Sequence, residues 1–310
     1  MDMNKLAESL SSLQQKVPDD IGILNIRRAS VDDLHRRLKK LLKSGDEVCG
    51  FPLDRGHWTR HDDRTIVRMP ENAYAVVYHA SGALKLFSGT APMDKLFKEA
   101  VSRESMSMRA EEVLKGMGIM EQMTRGQSLV FERLWQIKAA GIDRSGKTSE
   151  SVLCRAVGAF RHFIADVPVL GAASVAVKLA GDNNMDSLTI QMRGPGFEEL
   201  ERAKTIHPEK AVRHVVQRVS ERLSHLREKD EVLVEVDKGL QFGYFNLGKR
   251  KAQRILAPAY VAAISVTHAQ EQQAFMVVVP ATEKNYISFE PTGQESPVME
   301  TGKLATRCCC

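Results

Sequence analysis

The residues that could do chemistry begin with the cysteines. Of five, only Cys49 and Cys154 lie in the body of this 310-residue chain; Cys308, Cys309 and Cys310 end it. A catalytic thiol needs an imidazole to take its proton and a carboxylate or amide to orient that imidazole. Cys154, His268 and Glu290 supply these groups in chain order. Ser149–Ala165 reads as a helix, with Val152, Ala156, Val157, Phe160 and Ile164 on one face. Cys154 then falls near a helix N-terminus, where the dipole favours a thiolate. The competing use of a lone helix cysteine is a buried core thiol.

Glu290 sits in Phe289-Glu290-Pro291-Thr292-Gly293. A helix-borne Cys154, a strand-end His268 and an acid in such a turn resemble papain-fold cysteine peptidases and acyltransferases of the YopT kind, bacterial effectors delivered into host cells. The likeness runs over Ser149–Gly293. Leu153 and Phe163 stand where those families carry a glycine-like residue and a tryptophan. The resemblance implies Cys154 as nucleophile, His268 as base and Glu290 as orienter. It also implies a protein substrate and a cytoplasmic or host-cytosolic location.

A second chemistry is written in Gly141-Ile-Asp-Arg-Ser-Gly146-Lys147-Thr148, which has Walker A spacing. In a P-loop, backbone amides cradle phosphates, the lysine reaches them and the threonine hydroxyl binds Mg²⁺. Such a loop needs a buried strand before it, whereas Glu132, Arg133, Gln136 and Lys138 recur at helical spacing there. The alternative is a polar loop between two helices. Cys49, His57, His61, Asp62 and Asp63 share one stretch but lack paired ligand spacing, so no metal is expected. Outside the nucleotide alternative no cofactor is expected. Gly248-Lys249-Arg250-Lys251 with Arg254 is a short basic cluster without an RNA-binding aromatic pattern, so nucleic acid is not expected as a partner. Met106, Met108, Met117, Met120 and Met123 offer either a groove for a partner helix or adaptable core filler. An adaptor that binds a protein partner therefore stands beside the enzyme.

Cys308–Cys310 are not a C-a-a-X box, but a multi-cysteine end is similar to prenylated or acylated tails and implies membrane tethering through lipid on those cysteines. Two isolated body thiols point to a reducing compartment rather than a disulfide framework. No signal peptide, myristoylation site or membrane-spanning run is read in the chain.

Composition is that of a soluble globular protein, with 43% hydrophobic residues, 27% charged residues and a net charge of +5. Positioning the candidate residues calls for an α+β fold. Helices dominate the N-terminal and middle regions, from Ser30 to Gly45 and from Pro92 to Ala140, the latter with a break near Gly116–Gly118. Hairpins are expected at Ala73–Ser88 and Ser174–Met192. Pro208 opens a long helix with Val212, Val215, Val219 and Leu223 on its stripe. Strands come next at Val232–Val236, Leu240–Asn246, Ala259–Val266, Ala274–Val279 and Tyr286–Phe289, making an antiparallel sheet packed with that helix. The expected organisation is a helical and hairpin domain over 1–140, an α+β domain over 141–290 and a flexible tail over 291–310.

Overall fold

A computed structural model describes residues 3–12, 16–49, 56–98, 101–182, 184–193, 196–224, 232–268 and 271–287. Glu290, Cys308, Cys309, Cys310 and the expected tail lie outside them, as does the side chain of Cys49.

In chain order the elements are α1 (Met3–Leu10), β1 (Asp20–Ile26), α2 (Val31–Cys49), β2 (His57–Arg60), β3 (Arg64–Arg68), β4 (Tyr74–Tyr78) and β5 (Leu84–Phe87). Then come α3 (Arg103–Gly116), β6 (Gln127–Ala139), β7 (Val152–Ile164), β8 (Val167–Leu170), β9 (Val175–Leu179), β10 (Met185–Ile190) and β11 (Phe197–Lys204). Last are α4 (Pro208–Leu223), β12 (Val232–Phe245), β13 (Ile255–Leu256), β14 (Pro258–His268) and β15 (Glu271–Pro280).

Sheet predominates: 44% of the described residues are in strands and 23% are helical. This corrects the expectation of a helical N-terminal and middle region. The largest departure is Ser149–Ala165, which carries strand β7 instead of a helix. Val152, Ala156, Phe160 and Ile164 are four apart, a spacing that fits a helix face and one face of a strand equally. Burial on both faces then removes the alternation that would separate the two. The second half of Pro92–Ala140 departs likewise: α3 ends at Gly116, and Gln127–Ala139 is strand β6.

Local signals elsewhere match the structure. Ser30 and Asp33 form a reciprocal capping box, the Asp33 amide donating to Ser30 Oγ at 3.1 Å and the Ser30 amide to Asp33 Oδ2 at 3.3 Å. The helix they start runs through Gly45 to Cys49 instead of stopping at the glycine. Val48 then packs where a Cβ on Gly116 would lie 2.8 Å from its Cγ2, so the two helices meet at a glycine.

The chain forms two compact units that cut across the expected domains. One comprises Asn25–Glu198 with Asn246–Arg254; the other comprises Met1–Leu24, Glu199–Phe245 and Ile255–Cys310. The 141–147 segment, expected as the domain break, lies inside the first.

In the first unit the strands pair antiparallel in the order β8-β7-β9-β10-β5-β4-β3-β2, and β6 pairs with β7 along its length. Helices α2 and α3 cover one face, burying Leu34, Leu38, Leu41, Val113, Leu114 and Met117 against Val77, Leu86, Phe160 and Val177. Gly158 permits the approach of α3, because a Cβ there would lie 2.8 Å from Ala110 Cβ. The second unit contains an antiparallel β15-β14-β12 sheet and a small β11-β1-β13 sheet. Helices α1 and α4 pack on its strands, α4 through Ala211, Val212, Val215 and Val219.

Candidate functional site

Cys154 is in the third residue position of β7, not at a helix N-terminus, so the dipole argument for its thiolate does not apply. It is 4% exposed, and its Sγ donates to the Val152 carbonyl at 3.5 Å. His268 ends β14 in the other compact unit. Glu290 lies outside the described residues.

The Walker-like segment ends the β6–β7 hairpin. A strand does precede Gly141, contrary to the helix expected there. The element after the loop is another strand, where a P-loop requires a helix. The amides are also already spent. Asp143 Oδ1 accepts from the Ser145 amide at 2.9 Å, the Ser145 hydroxyl at 2.6 Å and the Lys147 amide at 2.9 Å. The Gly146 amide donates to the Asp143 carbonyl at 3.0 Å. An internal carboxylate thus occupies the place a phosphate would take. The Ser145 hydroxyl, then the Lys147 amide, hold its pKa below the ordinary carboxylate value. Gly141, Gly146, Lys147 and Thr148 make a tight hairpin end, closed by an Ile142–Thr148 bridge.

That hairpin is the first candidate surface. Arg155, early in β7, is buried and reaches back to the Ala91, Pro92 and Asp94 carbonyls at 2.8, 3.3 and 3.0 Å. Its Nε is 3.3 Å from Asp186 Oδ1, with both side chains almost fully buried. This clamp fixes the base of the hairpin. Beyond it the chain is exposed from Trp135 to Lys138 and from Ala140 to Val152. The arm carries Trp135 (41% exposed), Ile137, Ile142 (70% exposed) and Val152. Arg133 lies over the Trp135 ring at 4.4 Å, and its buried Nε has no acceptor among the described residues. Among the described strands β6 pairs only with β7, which leaves it an edge. On that strand the Leu134 carbonyl accepts from Arg103 at 3.0 Å.

The second candidate surface is the basic turn Gly248–Lys251, noticed in the sequence without its support. Arg193 is 3% exposed and stands in the loop after β10. It donates from Nε to Asn246 Oδ1 at 2.8 Å, from Nη1 to the Lys251 carbonyl at 2.8 Å and from Nη2 to the Gly248 carbonyl at 2.7 Å. Burial pulls its pKa down to about 10, which leaves it charged at neutral pH. Nothing local in the sequence marks this arginine, because its partners are more than fifty residues away.

The turn also rests on the β4–β5 connection. Ser81 Oγ donates to the Lys249 carbonyl at 2.5 Å, and Lys249 Nζ lies 5.6 Å from the Tyr78 ring centroid. Beside this anchor runs a directed hydrogen-bond chain that the sequence did not reveal. His79 Nδ1 lies 3.1 Å from the Asp62 carbonyl, which can only accept. In a neutral ring Nε2 must then accept, and Thr65 Oγ1 donates to it at 2.9 Å. The Thr65 oxygen accepts in turn from His35 Nε2 at 2.7 Å. Burial, then the neighbouring His79, lower the His35 pKa.

In the other unit, α4 and the segment after β15 border an open groove of about 350 Å³. Its cations Lys210 and Arg218 are balanced by Glu221 and Glu283. The methionines are mostly core filler: Met106 and Met117 are buried, Met120 and Met123 pack against the core, and Met108 is exposed. Among the described residues no cluster of His, Cys, Asp or Glu has metal-site geometry. No described helix is long and apolar enough to cross a membrane.

No protein-family model matches the chain, and no curated protein matches it.

Proposed function

We propose that this chain is a non-enzymatic adaptor that binds a protein partner along the β6–β7 arm. One observation carries the reading: a clamped hairpin presents Trp135 and Ile137 of the edge strand β6 to solvent, with Ile142 of its loop and Val152 at the start of β7 exposed on the same arm. Exposed apolar side chains grouped on one element mark an interaction surface. An edge strand offers backbone donors and acceptors to a partner strand. Arg133, stacked over the Trp135 ring at 4.4 Å, adds a cation beside these apolar side chains. Thiol chemistry finds no such support, because Cys154 is sealed in a strand.

The test uses the full chain purified from the cell in which it is native, as wild type, as Cys154→Ser and as the double variant Trp135→Ser/Ile137→Ser. Wild type and Cys154→Ser should retain the same partner in equal yield, and the arm variant should lose it with an unchanged circular dichroism spectrum. Retention by the arm variant, or loss of the partner or of biological activity in Cys154→Ser, would overturn the proposal.

A further inference from the structure

The Asn246–Arg254 loop departs from an ordinary solvated turn in the direction its peptide groups face. The carbonyls of Gly248 and Lys251 point inward to Arg193, and that of Lys249 points inward to Ser81. The Gly248 amide is taken by Asn246 Oδ1 at 3.1 Å and the Leu247 amide by Gln253 Oε1 at 3.1 Å. The amides of Lys249 and Arg250 find no acceptor among the described residues. With the negative ends of its peptides bound inside, the turn presents their positive ends outward. Gly248, at φ +92°, makes the reversal possible.

Side-chain charge adds to this polarity. The Ile26 amide donates to the Arg254 carbonyl at 2.8 Å, which brings the exposed Arg27-Arg28 pair beside Arg254. Arg27, Arg28, Lys249, Arg250 and Arg254 make no ion pair among the described residues. Like charges repel, so this grouping costs free energy in the absence of an anion. The buried Arg193 anchor holds the turn in its place nonetheless. Fixed amides and guanidinium groups of this kind bind phosphate oxygens through charge-assisted hydrogen bonds.

We propose that the 246–254 turn, with Arg27 and Arg28, binds a compact, multiply phosphorylated ligand. The neighbouring aromatic, Tyr78, is buried beneath Lys249 and offers no stacking face for a base. A cluster of phosphates on a small carrier fits this surface better than a nucleic-acid strand read through its bases. The phosphates belong either to a soluble ligand or to a lipid headgroup, and the experiment separates the two.

Titration calorimetry of the full chain with inositol hexakisphosphate, at a salt concentration of about 0.15 M, is the first arm. Saturable one-to-one binding is expected. Arg250→Ala/Arg254→Ala should weaken it at least about tenfold, since each removes a charge-assisted contact. Ser81→Ala, which releases the Lys249 carbonyl without removing a charge, should weaken it by a smaller factor. Co-flotation with phosphatidylcholine vesicles, with and without a phosphatidylinositol bisphosphate, is the second arm. Headgroup-dependent flotation that free inositol hexakisphosphate displaces assigns the site to a lipid; calorimetric binding without flotation assigns it to a soluble ligand. The proposal fails if no binding is measured, if the double variant binds as wild type does, or if a short DNA duplex binds more tightly than inositol hexakisphosphate.

Discussion

Lowering the pH should destabilise the Asn25–Glu198 unit through one buried ring, His162. This side chain is 2% exposed near the C-terminal end of β7, with Nε2 3.1 Å from Gln127 Oε1 and its ring 6.1 Å from that of Phe197. Burial lowers its pKa from 6.5 to about 4. In the unfolded chain the ring takes up a proton as pH falls through 6.5, while in the folded chain it stays neutral until near 4. Between those values the unfolded state binds more protons, so stability falls as pH falls. The contribution is complete above about pH 6.5, reduced by roughly 2 kcal/mol at about pH 5 and by about 3 kcal/mol near pH 4. Both tryptophans, Trp58 and Trp135, lie in this unit, so urea unfolding followed by their fluorescence reports on it alone. His162→Gln keeps a donor for Gln127 and removes the titrating group. Its stability should fall less steeply than that of wild type between about pH 6.5 and pH 4.5, with carboxylates and His35 cancelling in the difference. Parallel curves for the two proteins would refute the assignment.

Three more perturbations probe the packing. Asp186→Asn should destabilise this unit by about 3–5 kcal/mol in the same assay, because it strips the buried Arg155 of its carboxylate. Gly158→Val should cost about 1–3 kcal/mol or displace α3, since even a Cβ there meets Ala110 at 2.8 Å; an unchanged urea midpoint would show that the helix–sheet approach is looser than described. Thr65→Val, nearly isosteric, removes the hydroxyl between His79 and His35 and should cost about 1–3 kcal/mol at neutral pH. Imidazole nitrogen chemical shifts should show His79 Nε2 losing its hydrogen bond while Nδ1 stays protonated toward the Asp62 carbonyl.

Features encoded within a few residues were legible in the amino-acid order alone. The Ser30/Asp33 capping box, a break near Gly116, Pro208 with its valine stripe, and the strands β14 and β15 rest on neighbours along the chain, whereas β12 runs unbroken from Val232 to Phe245 where two strands were expected. Their physics is local: caps satisfy nearby amides, and a single covered face leaves a clean period. Three-dimensional packing decided the rest. Whether Val152–Ile164 is helix or strand depended on partners on both sides, β6 and β9, which erased its alternation. That choice removed Cys154 from a helix N-terminus and turned a Walker-like string into a hairpin end. The basic turn was visible as composition, but its outward polarity was not. It comes from Arg193 and Ser81, each far away in sequence, drawing carbonyls inward, and only folding places a buried guanidinium beneath a loop it does not neighbour along the chain.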